Sequence, residues 1–150
     1  MNLEAFLEHQ KIWYQIIHKD PTIHTADAAK ATGINVHRIT KNLVTVTNKG
    51  EHVLLIVPGD RKVDMKTAAK ALNVQRITLV PFDKAMEISG YPPGGTPSVG
   101  HKTKMRVVID ETIMEYETVY CGGGSRDKLI ELKTIDILQL NHAITAKIAK

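Results

Sequence analysis

The element order predicts an α+β domain, a mixed, curved β-sheet or partial barrel flanked by short helices. Three observations carry that reading. β-branched runs recur at irregular intervals, short amphipathic stretches separate them, and the regular strand–helix alternation of a parallel α/β protein is missing. The 150 residues suit one domain over 1–150, and 43% hydrophobic with 24% charged residues is a globular composition rather than a disordered or collagen-like one. Aromatics make up only 5%, so the core is expected to be aliphatic.

In chain order, Leu3, Phe6, Leu7, Trp13, Tyr14 and Ile17 fall at helical spacing behind the N-cap candidate Asn2, which predicts a first helix ending before Asp20-Pro21. A second helix is expected over Thr25–Thr32, capped by Thr25, favoured by four alanines and ended by Gly33. Leu43–Val46 and Val53–Val57 are β-branched runs separated by Asn48-Lys49-Gly50, the pattern of a hairpin. Pro58-Gly59-Asp60 closes it. Asp64 can cap a helix through Ala68, Ala69 and Leu72, followed by a strand at Arg76–Val80 and a short helix from Phe82 to Ile88.

Gly90 to Gly100 contains four Gly and three Pro, which excludes both helix and central strand. Strands are then expected at Met105–Ile109, Thr118–Cys121 and Leu129–Leu132, broken by an acidic turn at Asp110-Glu111 and by the loop Gly122–Ser125. A last helix runs from Thr134 to about Leu140. Neither an internal repeat nor a linker is evident.

Twenty Lys and Arg against sixteen Asp and Glu leave a net charge of +4, which admits a phosphate-bearing partner without requiring one. The single cysteine, Cys121, rules out an internal disulfide and a multi-cysteine zinc site, as suits a reducing compartment. Met1-Asn2-Leu3-Glu4 lacks the basic start of a signal peptide, and the longest apolar run, Val53–Val57, is too short to span a membrane. The expectation is a soluble cytoplasmic protein without a membrane role.

The two glycine-rich loops are the most informative local feature, because glycine lets main chain approach a ligand and aim N–H groups at an anion or carbonyl oxygen. Either loop alone reads more readily as a tight turn than as a ligand cradle, and neither is a Walker motif. Lys41, at the start of a strand, can reach into a cleft, although an isolated lysine of this kind more often snorkels to solvent. The basic stretch His101-Lys102-Thr103-Lys104-Met105-Arg106 reads equally as a phosphate contact or a polar strand edge. Seven histidines show no metal-ligand spacing, and neither Ser98 nor Ser125 sits in a Gly-x-Ser-x-Gly elbow. Cys121 reads as a small buried hydrophobe rather than a nucleophile. No metal or cofactor is expected.

Several fragments together resemble a known family. Arg38-Ile39-Thr40-Lys41-Asn42-Leu43-Val44, Val57-Pro58-Gly59-Asp60, Gly90-Tyr91-Pro92-Pro93-Gly94-Gly95 with Pro97 and Gly100-His101, Val107-Val108-Ile109-Asp110-Glu111 and Gly122-Gly123-Gly124 are similar, in order and spacing, to the landmarks of the YbaK/prolyl-tRNA synthetase editing-domain family. The resemblance implies a free-standing deacylase that hydrolyses the ester of a mischarged tRNA carrying a small amino acid. It implies that Lys41 is the family's essential lysine, positioning the tRNA 3′ end, and that amides of Gly94, Gly95 and Gly100 stabilise an oxyanion. Asn42, Gly90, Pro97, His101, Gly122, Gly123, Gly124 and Ser125 would then surround the substrate. Asn42 replaces the Thr or Ser of many members, and the Gly122–Ser125 loop departs from the bacterial YbaK pattern; both bear on which amino acid is edited. The implied partners are mischarged tRNA and an aminoacyl-tRNA synthetase. The alternatives are an inactive tRNA- or synthetase-binding homologue, or a hydrolase of a non-tRNA acyl ester.

Overall fold

The hairpin at the centre of the sequence is the spine of the fold. In the computed structural model, which describes residues 2–150, β2 (Thr40–Thr47) and β3 (His52–Pro58) pair antiparallel from Thr40↔Pro58 to Val46↔His52. β4 (Ile77–Leu79) adds to the outer edge of β2, and β5 (Arg106–Asp110) and β8 (Ile144–Ala146) add parallel on the other side, giving the order β4-β2-β3-β5-β8. A separate antiparallel sheet has β7 (Lys128–Lys133) between β1 (Tyr14–His18) and β6 (Thr118–Gly122). The two sheets meet where Ile39 bridges to Tyr120. This is the mixed α+β architecture that the element order predicts.

Strand β3 is buried on both faces. Leu54 and Ile56 enter one cluster with Val107, Ile109 and Leu132, while Val53, Leu55 and Val57 enter a second with Ala68, Leu72 and Ile148. The period-two alternation of one strand thus feeds two cores. Helices α1 (Leu3–His9) and α5 (Thr134–Asn141) close the first, through Leu3, Leu7 and Ile137, and α3 (Met65–Leu72) closes the second. Each fully buried aliphatic side chain contributes about 1.5–3 kcal/mol.

Local chemistry sets most boundaries. The Asn2 side chain accepts from the Ala5 N–H (3.0 Å), Asp64 caps α3 by accepting from Lys66 and Thr67, and Gly33 ends α2 (Thr25–Thr32) at φ 74°. Thr25 differs from its expected role: His24 holds the cap position, and the Thr25 hydroxyl donates to the Gly59 carbonyl (3.0 Å).

The first helix is the larger correction. It stops at His9, Lys11 turns the chain at φ 58°, and Tyr14–His18 becomes β1, paired with Leu132–Lys128. Tyr14 and Ile16 still pack on the first core while Trp13 is left 44% exposed, so strand alternation displaces helical spacing at this point. Strand β8 and the short 3₁₀ turns at Val36–Arg38 and Glu111–Glu115 also lie beyond what the sequence pattern marks.

Asp110 fastens the end of the chain. Its carboxylate is 1% exposed and accepts from Ile148 N–H (2.9 Å), Ala149 N–H (2.8 Å), Thr112 N–H (3.1 Å) and the Thr112 hydroxyl. Burial pushes its pKa up, but these donors outweigh burial and hold it below the usual carboxylate value. A carboxyl whose folded pKa is depressed stabilises the fold above its unfolded pKa. That contribution should be lost as pH falls from about 4 through the folded value. Asp110→Asn, which sets an amide NH₂ among donors, should cost about 1–3 kcal/mol at neutral pH in urea unfolding, with the difference from wild type shrinking in acid.

Candidate active site

A cleft forms because the outer edge of β2 is covered only in part. β4 pairs with Thr45–Thr47, the Val80 N–H reaches the Val44 carbonyl (3.3 Å), and Ile39 is held by Tyr120 of β6. Extending the β2–β4 register would set residue 82 opposite Asn42. Instead the chain turns away at Pro81 into helix α4 (Phe82–Ser89), leaving the stretch from Thr40 to Leu43 beside a cleft of about 340 Å³. The segment Thr22–Ala26, the loop residues Pro93, Gly94 and Thr96, and Leu79 with Phe82 form the walls.

Ladder alternation decides which main-chain groups face this space. Thr47 N–H donates to Glu51 in the hairpin, whereas the Val44 carbonyl faces β4. Asn42 has the parity of Val44, so its N–H and C=O turn to the uncovered side and offer a donor and an acceptor on the cleft floor.

Lys41 also lines the cleft, half-buried, and its ammonium makes no hydrogen bond or ion pair among the described residues. Burial pushes its pKa below the ordinary lysine value; the negative charge of Asp60 opposes this and Lys62 adds to it. Asp60 is itself paired with His37, which leaves the Lys41 cation available to a ligand.

The Asn42 side chain is committed to structure. Ser98 Oγ donates to Asn42 Oδ1 (2.7 Å), Asn42 Nδ2 donates to Thr40 Oγ1 (3.2 Å), and Thr40 Oγ1 lies 2.9 Å from Ser98 Oγ, closing a ring of hydrogen bonds. Nδ2 also donates to the Thr96 carbonyl (3.2 Å), and Asn141 Nδ2 donates to the Ser98 carbonyl (2.8 Å). The ring pins the Pro/Gly loop to β2 and to α5. Ser98 and Asn141 carry no motif that marks them in the sequence, and Thr40 is marked only as part of the landmark around Lys41.

The two glycine-rich loops touch through main chain. A Cβ at Gly122 would lie 2.5 Å from Gly95 C and 2.5 Å from Thr96 O, and one at Gly95 would lie 2.8–2.9 Å from the main chain of Ser125. Gly94, at φ 87°, passes as closely over Thr22 and Ile23. Gly94 and Gly122 line the cleft together with Lys41 and Asn42.

Gly95, Gly123, Gly124 and Ser125 stand behind that surface. The N–H groups of Gly95, Gly123 and Gly124 donate to Pro92, Lys128 and Gly95 carbonyls at 2.9–3.0 Å, and the Ser125 hydroxyl donates to Asp127 (2.5 Å). Gly90 ends α4 at φ 85°. The Pro97 carbonyl accepts from His101 Nε2 (2.8 Å) and the Gly100 carbonyl from the Tyr91 hydroxyl (2.8 Å). Gly90, Pro97, Gly100 and His101 thus brace the loop from within, and burial lowers the His101 pKa, the Pro97 carbonyl opposing. Cys121 is fully buried, and burial pushes its thiol up to about 11 although Ser98 opposes, which suits packing rather than attack.

A family model described as an aminoacyl-tRNA editing domain matches residues 20–140. The chain belongs to this family. Among its relatives, an Enterococcus faecalis protein named as a candidate Cys-tRNA(Pro)/Cys-tRNA(Cys) deacylase, EbsC, is 29% identical over 90% of this chain and 82% of its own length. The multifunctional Ser/Thr-tRNA deacylase ProXp-y of Escherichia coli K12 is 28% identical over 60% of this chain and 54% of its own. A crystal structure of a candidate trans-editing enzyme for prolyl-tRNA synthetase superposes with a TM-score of 0.86 at 26% identity, covering 99% of this chain and 94% of that one. Thr96 and Ser98 of the loop hold Asn42, which lines one opening together with Lys41.

The close approach of the loops is open to test. Gly122→Ala should cost about 1–3 kcal/mol in thermal or urea unfolding, because the added methyl meets main chain that cannot yield. A substitution that leaves stability unchanged would show that the loops separate freely.

Proposed function

We propose that this editing domain is an aminoacyl-tRNA deacylase that removes a small amino acid from mischarged tRNA in trans, in the cytoplasm, with a synthetase as a passing partner. The observation that carries the reading is Lys41: a half-buried cation without an ion-pair partner among the described residues, set beside main-chain donors in a small cleft. In a partly desolvated site such a charge attracts an anion more strongly than it would in water. Lys41 would hold the phosphate–ribose end of the acceptor strand, as a point charge does.

Ester hydrolysis also needs donors where the tetrahedral oxyanion develops. The Gly94 N–H makes no hydrogen bond among the described residues, and with the outward-facing Asn42 N–H it is free for that role. The Gly95 amide, already given to Pro92, supports the loop rather than the oxyanion. Water addition to the ester carbonyl and departure of the ribose oxygen then proceed without a protein nucleophile, and a ribose hydroxyl of the substrate places the water. The narrow cleft favours a small aminoacyl group.

Purified protein should accelerate ester loss from at least one of a panel of tRNAs charged with Cys, Ala, Ser, Thr or Pro; no acceleration over buffer for any of them overturns the reading. Lys41→Ala should lower the rate about a hundredfold while leaving the melting temperature intact. Because the cation is the active form and burial lowers its pKa, wild-type rates corrected for spontaneous hydrolysis should fall at a lower pH than a solvent-exposed lysine would dictate. A thiol-blocking reagent should leave the rate unchanged, given the burial of Cys121.

A further inference from the structure

We infer that the apolar lip formed by Leu79, Phe82 and Met86 is a stacking platform for the unpaired terminal base of the acceptor strand, with Phe82 as the contacting ring. Phe82 is 62% exposed, Leu79 56% and Met86 51%, a high exposure for side chains this large. They form a group rather than scattered residues: Phe82 and Met86 are one helical turn apart on α4, and Leu79 ends the strand that leads into it.

The lip is continuous with the cleft. Phe82 and Leu79 line its mouth, where Pro81 turns the chain out of the β2–β4 register and into α4. The cleft itself, at about 340 Å³, lies near the lower end of ligand-site volumes of roughly 300–1,000 Å³. It suits an aminoacyl ribose and leaves the attached base at the mouth.

Charge completes the fit. Lys41, with Lys62 close enough to influence its titration, supplies the cationic side, and the lip supplies an apolar, aromatic side. Single-stranded nucleic acid is bound by that pairing, in which cations follow the phosphates and an aromatic ring takes the base with little regard to its identity. A terminal nucleotide, with phosphate, ribose and flat base, matches the succession from Lys41 to Phe82.

This inference rests on the proposed deacylase reading, and two readouts keep them separable. In steady-state deacylation of the tRNA that the panel selects, Phe82→Ala should raise KM roughly 5- to 100-fold with kcat changed less than twofold, and Phe82→Trp should restore KM. On the same aminoacyl group esterified to ribose without a base, Phe82→Ala and wild type should differ by less than twofold. Independently of hydrolysis, fluorescence anisotropy should show wild type binding a short single-stranded RNA ending in CCA more tightly than the same RNA with an abasic 3′ terminus, and Phe82→Ala should erase that difference.

An unchanged KM on tRNA, or an equal loss on the base-free ester, overturns the stacking role; the first outcome would leave the lip to a protein partner and the second to shaping of the cleft. If no charged tRNA is hydrolysed, the deacylase reading fails while the abasic comparison still decides the platform. A wild-type protein that binds the two RNAs equally overturns the platform whatever the hydrolysis shows.

Discussion

Two stretches of main chain lie in contact at Gly95 and Gly122, and the site is arranged around that contact. A methyl group at Gly122 would lie 2.5 Å from the Thr96 oxygen, so the loop after α4 and the loop after β6 approach only because neither carries a side chain there. One loop belongs to the small sheet, and the other is tied to the large sheet through the ring of Thr40, Asn42 and Ser98. Glycine here works as a fastener between two sheets. The ring and the close approach hold the loop that carries Gly94 against the strand that carries Lys41, the kind of support that positioning needs.

The site differs from a hydrolase built on a nucleophile. Its one thiol is sealed in the core and His101 is turned to a carbonyl within the loop. What lines the opening is a cation, outward-facing main-chain groups, apolar side chains, and His24 with the threonines Thr22, Thr25 and Thr96. Asp60 lies near enough to raise the Lys41 pKa but is engaged by His37, so its field moderates the cost of burying the cation without occupying it. Under the proposed function, such an arrangement would recognise and orient, and the reactive atoms would come with the substrate.

Much of the fold was legible in the sequence because its boundaries are set by local chemistry. Asn2, Asp64, Gly33 and the turn at Asn48-Lys49-Gly50 each act over a few residues and mark their elements correctly. Tyr14–His18 was not legible as a strand, because its pairing partner lies at Lys128–Leu132 and helical spacing is the stronger signal nearby. The site divides in the same way. Lys41 and Gly94 stand out through motif and glycine content and do line the cleft, whereas the engagement of the Gly95, Gly123 and Gly124 amides depends on carbonyls that the loop brings around only in three dimensions. Phe82 escaped notice as a cleft residue because an aromatic at a helix start reads as core, and only the missing stretch of β4 leaves it outside.

The pairing of β1 with β7 has a consequence for synthesis on the ribosome. Tyr14 finds Leu132 only after the intervening chain has emerged, and Asp110 waits longer still for the amides of Ile148 and Ala149. Until then β3, apolar on both faces, has its hairpin partner and later β5, but its covering layers are incomplete. Closing such distant contacts is slow relative to local ones. Until the small sheet closes, the hairpin of the nascent chain carries apolar faces whose covering segments have not yet emerged.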